Sequence, residues 1–532
     1  MKIIHIVDGE QTGQAQSGTL ALSRQLAQRH EISSVRLGRQ AAVCAADRPD
    51  LIYCHGLQAA RRGEKMAKQY GVPFVMECGG LDLNRCGRRA RRLLCRADRC
   101  VAVREQENTL LELGADPIRV TGICSTAEQL CELYESTVQQ FARRAGSGRD
   151  GAVICGAYGR GNAGDDAILN AIVRELHQAD AQLPVCVVSR RPEETRRRNH
   201  VQACHTFHFG ALSRALRRAS VFISGGGSLI QNATSSRSLY YYLFMLYLAR
   251  RRGCKVMMYG CGIGPVYGWL HRRMAAHVIN RCVDIVTLRD DDSMGELKNM
   301  GVTRPKMLRT ADPTICIQQL ESGQTEQLLE RLHIPRGGAY IGFGLREWKG
   351  FDRAAPEIAR AAQYAWETHG LTPVFIPIEY PHDCEAAKKV AAHLRCPYFL
   401  IAQRMAISET ISLLSRMSLV VGMRLHSLIF SVENGVPSIG ISYDMKVDGF
   451  LRSIGREDVT LHVQNVTGQQ LMEQIDRAVR AEERIRWKQT AARLTAEESG
   501  NLKQVQTLLA SLPQQQLRRK HSRNEGDHQD GK

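Results

Sequence analysis

Short apolar runs alternate with longer stretches of helical period along most of the chain, and many of the runs end in glycine. That rhythm predicts strands each followed by a helix, the arrangement of open parallel sheets. The first unit predicts strands at Lys2–Val7, Leu51–Cys54, Phe74–Glu77 and Cys100–Val103, with a helix near Leu20–Arg29. A second unit opens at the strand Ala152–Gly156, after a stretch from Arg143 to Gly151 whose Gly/Ser content predicts a flexible linker. Its later strands are expected at Ser220–Ile223, Lys255–Tyr259 and Val283–Val286. A third unit starts near Tyr340, past the turn at Pro335–Gly338, with strands at Tyr340–Phe343, Val374–Pro377, Leu419–Val421 and Ser438–Ile441. Helical stretches at Gly468–Arg480 and Ala481–Ser511 follow, and the Gln-, Arg- and His-rich tail from Pro513 is expected to be disordered.

The predicted fold class is therefore α/β, with three consecutive Rossmann-like open parallel-sheet units. The expected divisions are residues 1–146, 150–333, 334–462, helices over 463–512 and a tail over 513–532. The last two units would face each other across a cleft, and ligands of such sheets bind beyond the carboxyl ends of the strands.

Charge narrows the class of partner. Lys and Arg number 72 against 54 Asp and Glu, a net +18, which favours anionic partners. Paired metal ligands and the aromatic strand pattern of nucleic-acid modules are missing from the sequence, so neither a metal nor nucleic acid is expected. The 17 cysteines are scattered without a C-x-x-C pair and several lie inside apolar runs, which fits a reducing cytoplasm. The longest apolar run, Ser238–Ala249, is shorter than the roughly 20 residues that span a bilayer.

The candidate chemistry falls at predicted strand ends. Gly159 to Asp166 (G-R-G-N-A-G-D-D) follows a strand and opens a helix; Asp165 either caps that helix or faces a ligand, with hydroxyl binding favoured over phosphate. Gly225, Gly226 and Gly227 follow the next strand, either as a tight strand-to-helix turn or as open backbone donors for an anion or sugar. The aromatic helix Leu239–Leu248 reads as core. Arg289 beside Asp290 is either a local ion pair or a planar clamp for carboxylate or phosphate, and Arg346 ends the first strand of the third unit. Arg424 and His426 fall in the first turn of a helix closed by Gly435, where helix dipole, guanidinium and imidazole would converge. Lys446 adds a further cation, with Asp444 and Asp448 close by in sequence.

Taken in order, these pieces resemble the polysaccharide pyruvyl transferase family over residues 150–460, most closely its CsaB-type bacterial cell-wall members. The matching segments are G-x-G-N-x-G-D at Gly159–Asp165, S-G-G-G-S-L-x-Q at Ser224–Gln231, T-S-S-R-S at Thr234–Ser238 and G-x-G-I-G-P at Gly260–Pro265. They continue with T-x-R-D at Thr287–Asp290, T-A-D-P at Thr310–Pro313, G-M-R-L-H at Gly422–His426 and I-S-Y-D-x-K-V at Ile441–Val447. Asn232 departs from the Asp usual after the motif glutamine. The resemblance implies a two-domain, GT-B-like cleft, phosphoenolpyruvate as co-substrate, and no cofactor or obligatory metal. It implies catalysis by Arg424 and His426, with donor binding by Arg346, Arg289, Lys446 and Gly225–Gly227. Acceptor binding would fall to Asp165, Asn162 and Gln231. The acceptor it implies is a lipid-linked wall polysaccharide precursor, with N-acetylmannosamine as the leading sugar and surface-layer anchoring as the purpose. The basic charge adds an expectation of peripheral contact with the inner face of the membrane.

Residues 1–145 resemble instead the N-terminal half of a family-four glycosyltransferase, through Asp50–Gly56, Gly71–Val75 and Ala97–Val103. The nucleotide-sugar half is missing, which points to acceptor binding or docking there. Two rival readings are a nucleotide-sugar glycosyltransferase, which calls for an acidic pair where Arg424, His426 and Lys446 stand, and a basic scaffold for polymer or membrane, which leaves the ordered strand-end motifs unexplained.

Overall fold

A computed structural model describes residues 1–511 except 8–13, 38–47, 80, 84–86, 104, 107–108, 111–112, 114, 116–118, 148, 150, 182, 234 and 318. The tail beyond Pro513, Thr234 and part of the loop Asp8–Gly18 therefore lie outside the described residues.

Three sheets form, and among the described residues their strands pair in parallel. The first contains β1 (Lys2–Val7), β2 (Glu31–Arg36), β3 (Leu51–His55), β4 (Phe74–Glu77), β5 (Arg99–Ala102) and β6 (Val120–Gly122), in the order 2-1-3-4-5-6. The second contains β7 (Ala152–Cys155), β8 (Val185–Ser189), β9 (Gln202–His205), β10 (Val221–Ile230), β11 (Lys255–Ile263), β12 (Ile285–Leu288) and β13 (Lys306–Arg309), in the order 13-12-11-10-7-8-9. The third contains β14 (Tyr340–Gly344), β15 (Thr372–Phe375), β16 (Phe399–Leu400), β17 (Leu419–Gly422), β18 (Ser438–Ser442) and β19 (Thr460–His462), in the order 16-15-14-17-18-19.

By packing, the chain gathers into two compact units. One takes in residues 1–153 and 180–220 with the end of the last helix from Leu508; the other takes in 154–179 and 221–507. In the first unit, a chain of polar groups lies inside the sheet's own core. His5 Nδ1 is 2.9 Å from His55 Nε2, His5 Nε2 is 3.0 Å from the Tyr134 hydroxyl, and His55 Nδ1 is 2.8 Å from the Glu77 carboxylate. Burial, with His55 beside it, lowers the His5 pKa to about 3. His30, about a hundred residues earlier in the chain, also meets Cys131 and Glu135 in this unit, their ligand-type atoms all within 4.8 Å of one another.

In the second unit the helix Ala163–Ala179 packs through Ala167 and Ala171 on a core that includes Ile315, Leu428, Ile429, Trp487 and Leu494. Full burial of each large apolar side chain there contributes about 1.5–3 kcal/mol. The C-terminal helix Ala481–Ala510 ties distant parts of this unit together. Near its start Glu483 pairs with Arg456, whose guanidinium lies 4.2 Å from the Trp487 ring centroid. Further on, Asn501 accepts from the Thr310 hydroxyl at 2.9 Å and donates to the Ala311 carbonyl at 3.2 Å.

Several expectations are corrected. The first helix spans Gln14–Gln25, because the chain turns at Leu26–Arg29 before pairing β2 with β1. The Gly/Ser-containing segment expected as a linker is helical to Ser147, as the end of the helix Ala127–Ser147. The aromatic helix runs Ser236–Arg251 and buries Leu239, Tyr242, Leu243, Met245 and Leu246, yet leaves Tyr240 and Tyr247 exposed.

Candidate active site

Strand order reverses between β7 and β10 in the second sheet and between β14 and β17 in the third. These switch points are where open α/β sheets leave a crevice at their carboxyl ends. The G-x-G-N-x-G-D loop follows β7, the triple glycine lies in β10, Arg346 follows β14 and the G-M-R-L-H segment ends β17.

The helix after β7 starts at Ala163, earlier than expected, and this changes two roles. Asn162 takes the cap position, its side-chain oxygen accepting from the Gly164 N–H at 3.0 Å. Asp165 is thus the third helical residue and not the cap. Its carboxylate leans over Gly227, where an added Cβ would lie 3.4 Å from Oδ1. Burial and then the charge of Asp166 push the Asp165 pKa up to about 7, against the pull of Lys446, Arg160 and Arg289.

The triple glycine is not a turn into a helix. β10 runs on through it to Ile230, with a register irregularity between Gly227 and Ile230. Gly225 and Gly226 are buried beneath the helix Ala163–Ala179: a Cβ would come within 2.5 Å of Ile172 at the first and 2.0 Å of Ile168 at the second. Gly226 also has φ +58, a left-handed conformation that glycine adopts without strain. These two pack closely against that helix, whereas Gly227 lies next to Asp165.

His426 belongs to the helix Leu425–Glu433, with Arg424 at its cap position. Its imidazole presses on Gly164, where an added Cβ would fall 2.1 Å from Nδ1. Among the described residues no hydrogen bond reaches its buried Nε2. Burial lowers its pKa to about 4; Asp312 pulls it up, and Arg289, Lys446 and Arg424 push it down again. With its pKa held down at about 4, the ring favours the neutral form near pH 7.

Arg289 donates to Asp312 at 2.8 Å and reaches toward the Ser228 hydroxyl at 3.4 Å. It lies across Gly262, where a Cβ would meet the guanidinium at 2.9 Å. The local pair expected with Asp290 is the longer one, at 3.7 Å. Asp312 also accepts from the Thr314 N–H and hydroxyl, and although burial works against its charge, Arg289 and then His426 hold its pKa below the usual range.

Arg424 does not reach the cavity. Its guanidinium is held by Asp383, at 2.5 Å and 3.1 Å to Oδ1, and by Glu379 at 2.6 Å. Asp383 is only 2% exposed, so its carboxylate needs a cation, and the arginine supplies it. Arg346 is likewise enclosed, donating to the Tyr443 hydroxyl at 2.9 Å and lying 5.1 Å from the Trp348 ring and 5.2 Å from that of Tyr443.

A cavity of about 700 Å³ opens beside this group. Arg289, Lys446, Asp312, Ser228 and Gln231 are among its polar lining residues, and Trp348 and Tyr443 line it as well. Burial, then Arg289, lower the Lys446 pKa, and Asp444 and Asp165 oppose them. Ile263, Val266, Phe450 and Leu494 are among its apolar lining residues. Two cations and an acid thus line a largely apolar chamber, with His426 buried within electrostatic reach of all three, an arrangement able to hold a small polyanion against a larger neutral ligand. Sequence reasoning gave no role to Asp312, Trp348, Tyr443 or Asp383. Asp312 carried a signal, as the Asp of T-A-D-P, where Asp before Pro caps a turn.

Asn232 has a local explanation. Its amide accepts from the Tyr267 N–H at 2.7 Å and donates to the Tyr267 carbonyl at 2.9 Å, closing the loop after β11 over the cavity. Aspartate could make only the first of these bonds.

Among known proteins, the amylovoran biosynthesis protein AmsJ of Erwinia amylovora is 21% identical over 371 residues, which cover 59% of this chain and 88% of that protein. Two solved structures are similar at 11% identity and a TM-score of 0.47, each covering 68% of this chain and 100% of its own: HepE from Anabaena in complex with UDP-glucose, and UDP-GlcNAc 2-epimerase from Neisseria meningitidis bound to UDP-GlcNAc. Residues 162–445, more than half of the 532, match the family model for polysaccharide pyruvyl transferase, and the protein belongs to that family.

Proposed function

We propose that the protein moves the pyruvyl unit of phosphoenolpyruvate onto two hydroxyls of one sugar in a lipid-linked cell-wall polysaccharide precursor. The sugar would be N-acetylmannosamine and the purpose surface-layer anchoring, as the CsaB-type motifs suggest. The observation that carries the reading is the pairing of Arg289 with Asp312 in the lining of a cavity that Lys446 also lines, with His426 and Asp165 buried within electrostatic reach of both cations.

Phosphoenolpyruvate brings a phosphate and a carboxylate. Arg289 and Lys446 bind them, with Arg346 adding positive potential from its aromatic enclosure. The same negative charge offsets the cations that keep His426 neutral, so donor binding raises its pKa and lets it carry a proton. His426 gives that proton to the donor's methylene carbon, which becomes a methyl group, and the central carbon turns electrophilic. One acceptor hydroxyl attacks that carbon while Asp165 takes its proton. Phosphate leaves, and the second hydroxyl closes the ketal, its proton passing to solvent. Arg424 serves as a positioning residue, anchoring the start of the His426 helix to Asp383. Gln231 and the faces of Trp348 and Tyr443 supply the acceptor with a polar contact and flat apolar surfaces.

Among the described residues no helix is long and apolar enough to cross a membrane. The net charge of +18 supports a meeting with the lipid-linked acceptor at the inner membrane surface. Residues 1–146 would bind or dock the acceptor polymer.

Reaction in deuterium oxide tests the scheme. The expected product is a pyruvate ketal whose methyl group carries one deuterium, formed with release of phosphate. Turnover of a nucleotide sugar, with phosphoenolpyruvate left intact, would contradict it.

A further inference from the structure

The cavity wall leads outward to an unusual surface. Pro265, Val266 and Tyr267 line the cavity, and the chain then enters the helix Trp269–Cys282. At that point three large side chains within four residues stand in solvent: Tyr267 is 61% exposed, Trp269 67% and Leu270 63%. The neighbouring helix Ser236–Arg251 packs alongside, tied by Tyr240, whose hydroxyl is 3.0 Å from His271 Nε2. On it, Arg237, Tyr240, Tyr247 and Arg251 recur at helical spacing along one exposed face.

The charge of this region is one-sided. Between Val221 and Val283 the chain has eight Lys or Arg and no Asp or Glu. Two of the arginines are met by acids from further along: Arg250 by Asp284 and Arg272 by Glu296. Arg237, Arg251, Arg273 and Arg281 are exposed around the aromatic residues.

Exposed Trp and Tyr flanked by arginine, with no acid among them, match the interfacial zone of a bilayer that carries negative headgroups. The aromatic rings suit the boundary between headgroup and acyl chain, and the arginines suit the anionic lipid. We infer that the Tyr240–Tyr247 and Trp269–Leu270 face docks on an anionic phospholipid bilayer. This places Tyr267, exposed at the cavity wall, against the membrane surface. The docking is independent of the transfer reading; only its purpose, delivery of a lipid-linked acceptor into the cavity, rests on that reading.

The test uses the full chain and vesicles of phosphatidylcholine with or without phosphatidylglycerol, in a co-sedimentation assay. Wild type should bind the phosphatidylglycerol vesicles, release them as salt is raised, and ignore pure phosphatidylcholine. The double variant Trp269→Glu, Leu270→Glu alters only exposed positions and should bind roughly tenfold or more weakly. Trp366→Glu, on the separate helix Phe351–His369, should bind as wild type does. Absence of wild-type binding, or unchanged binding by the double variant, would overturn the inference. So would light scattering that shows a dimer split by the double variant, since a second copy would then cover this face. Vesicle binding is read without catalysis, so a failure to release phosphate from phosphoenolpyruvate would count against the transfer reading alone.

Discussion

Arg424 and His426 are two residues apart and do different work. Arg424 neutralises the buried Asp383, so Arg424→Ala strands a carboxylate in the interior and should cost about 3–5 kcal/mol. Thermal unfolding checks this, and Asp383→Asn in the same chain should recover part of the loss. His426 faces the cations instead. Its folded pKa of about 4 lies below the ordinary 6.5, so the unfolded chain takes up this proton first. The stability it contributes is therefore present above pH 6.5 and lost as pH falls toward 4. Nitrogen-15 NMR of the ring should show a neutral imidazole at pH 7 and an upward shift of its titration on addition of phosphoenolpyruvate; an unchanged titration would remove it as the proton donor. The sequence already displayed both residues at a helix start, since a glycine-ended strand before an apolar helix is a local pattern. It could not display which one is clamped, because Asp383 and Glu379 arrive from about forty residues away and carry no local mark. Asn232 was visible only as a departure from a motif. The tertiary fold supplies its reason, the two-point grip on Tyr267, and Asn232→Asp should loosen that loop at a cost of about 1–3 kcal/mol.

At the scale of elements, glycines set how closely helices approach the sheets. Gly164 makes room for the His426 ring and Gly226 for Ile168. Gly226→Ala adds a Cβ 2.0 Å from Ile168 at a left-handed position and should destabilise by about 1–3 kcal/mol or more, as measured by denaturant unfolding. Ser224–Gly227 reads locally as a chain break, since three glycines favour a turn, but pairing with β11 carries the strand through to Ile230. Most central strands were legible from their short, strongly apolar runs: Phe74–Glu77 matches its expected limits, and Leu419 starts its strand as expected. Edge strands such as Glu31–Arg36 and Phe399–Leu400 were not, because a strand with one neighbour and a partly exposed face needs little apolar sequence. The Ala163 start was missed because the cap is Asn162, inside a glycine-rich loop that reads as irregular throughout.

Across the molecule, charge couples stability to pH. Burial pushes Glu433 up to about 9, opposed by Arg174 and reinforced by Glu498 and Asp312. Glu175, buried beside Glu498 and accepting from the Tyr259 hydroxyl, is also raised to about 9. The folded chain therefore holds protons that the unfolded chain releases near 4.5, and this stability is lost as pH rises toward 9. Glu433→Gln should flatten the fall in melting temperature between pH 6 and about 9 while changing little near pH 5. Motif residues from Ser228 to Lys446 line one cavity, and the central claim is that phosphoenolpyruvate chemistry takes place there with His426, buried within electrostatic reach of Arg289 and Lys446, as proton donor. The most direct measurement is acceptor-dependent phosphate release from phosphoenolpyruvate, with a lipid-linked N-acetylmannosamine acceptor, by wild type and His426→Ala. The account predicts release by wild type and a loss of about a hundred- to ten-thousandfold in the variant without loss of folding. Equal release by the two, or none by wild type with any wall-precursor acceptor, would contradict it.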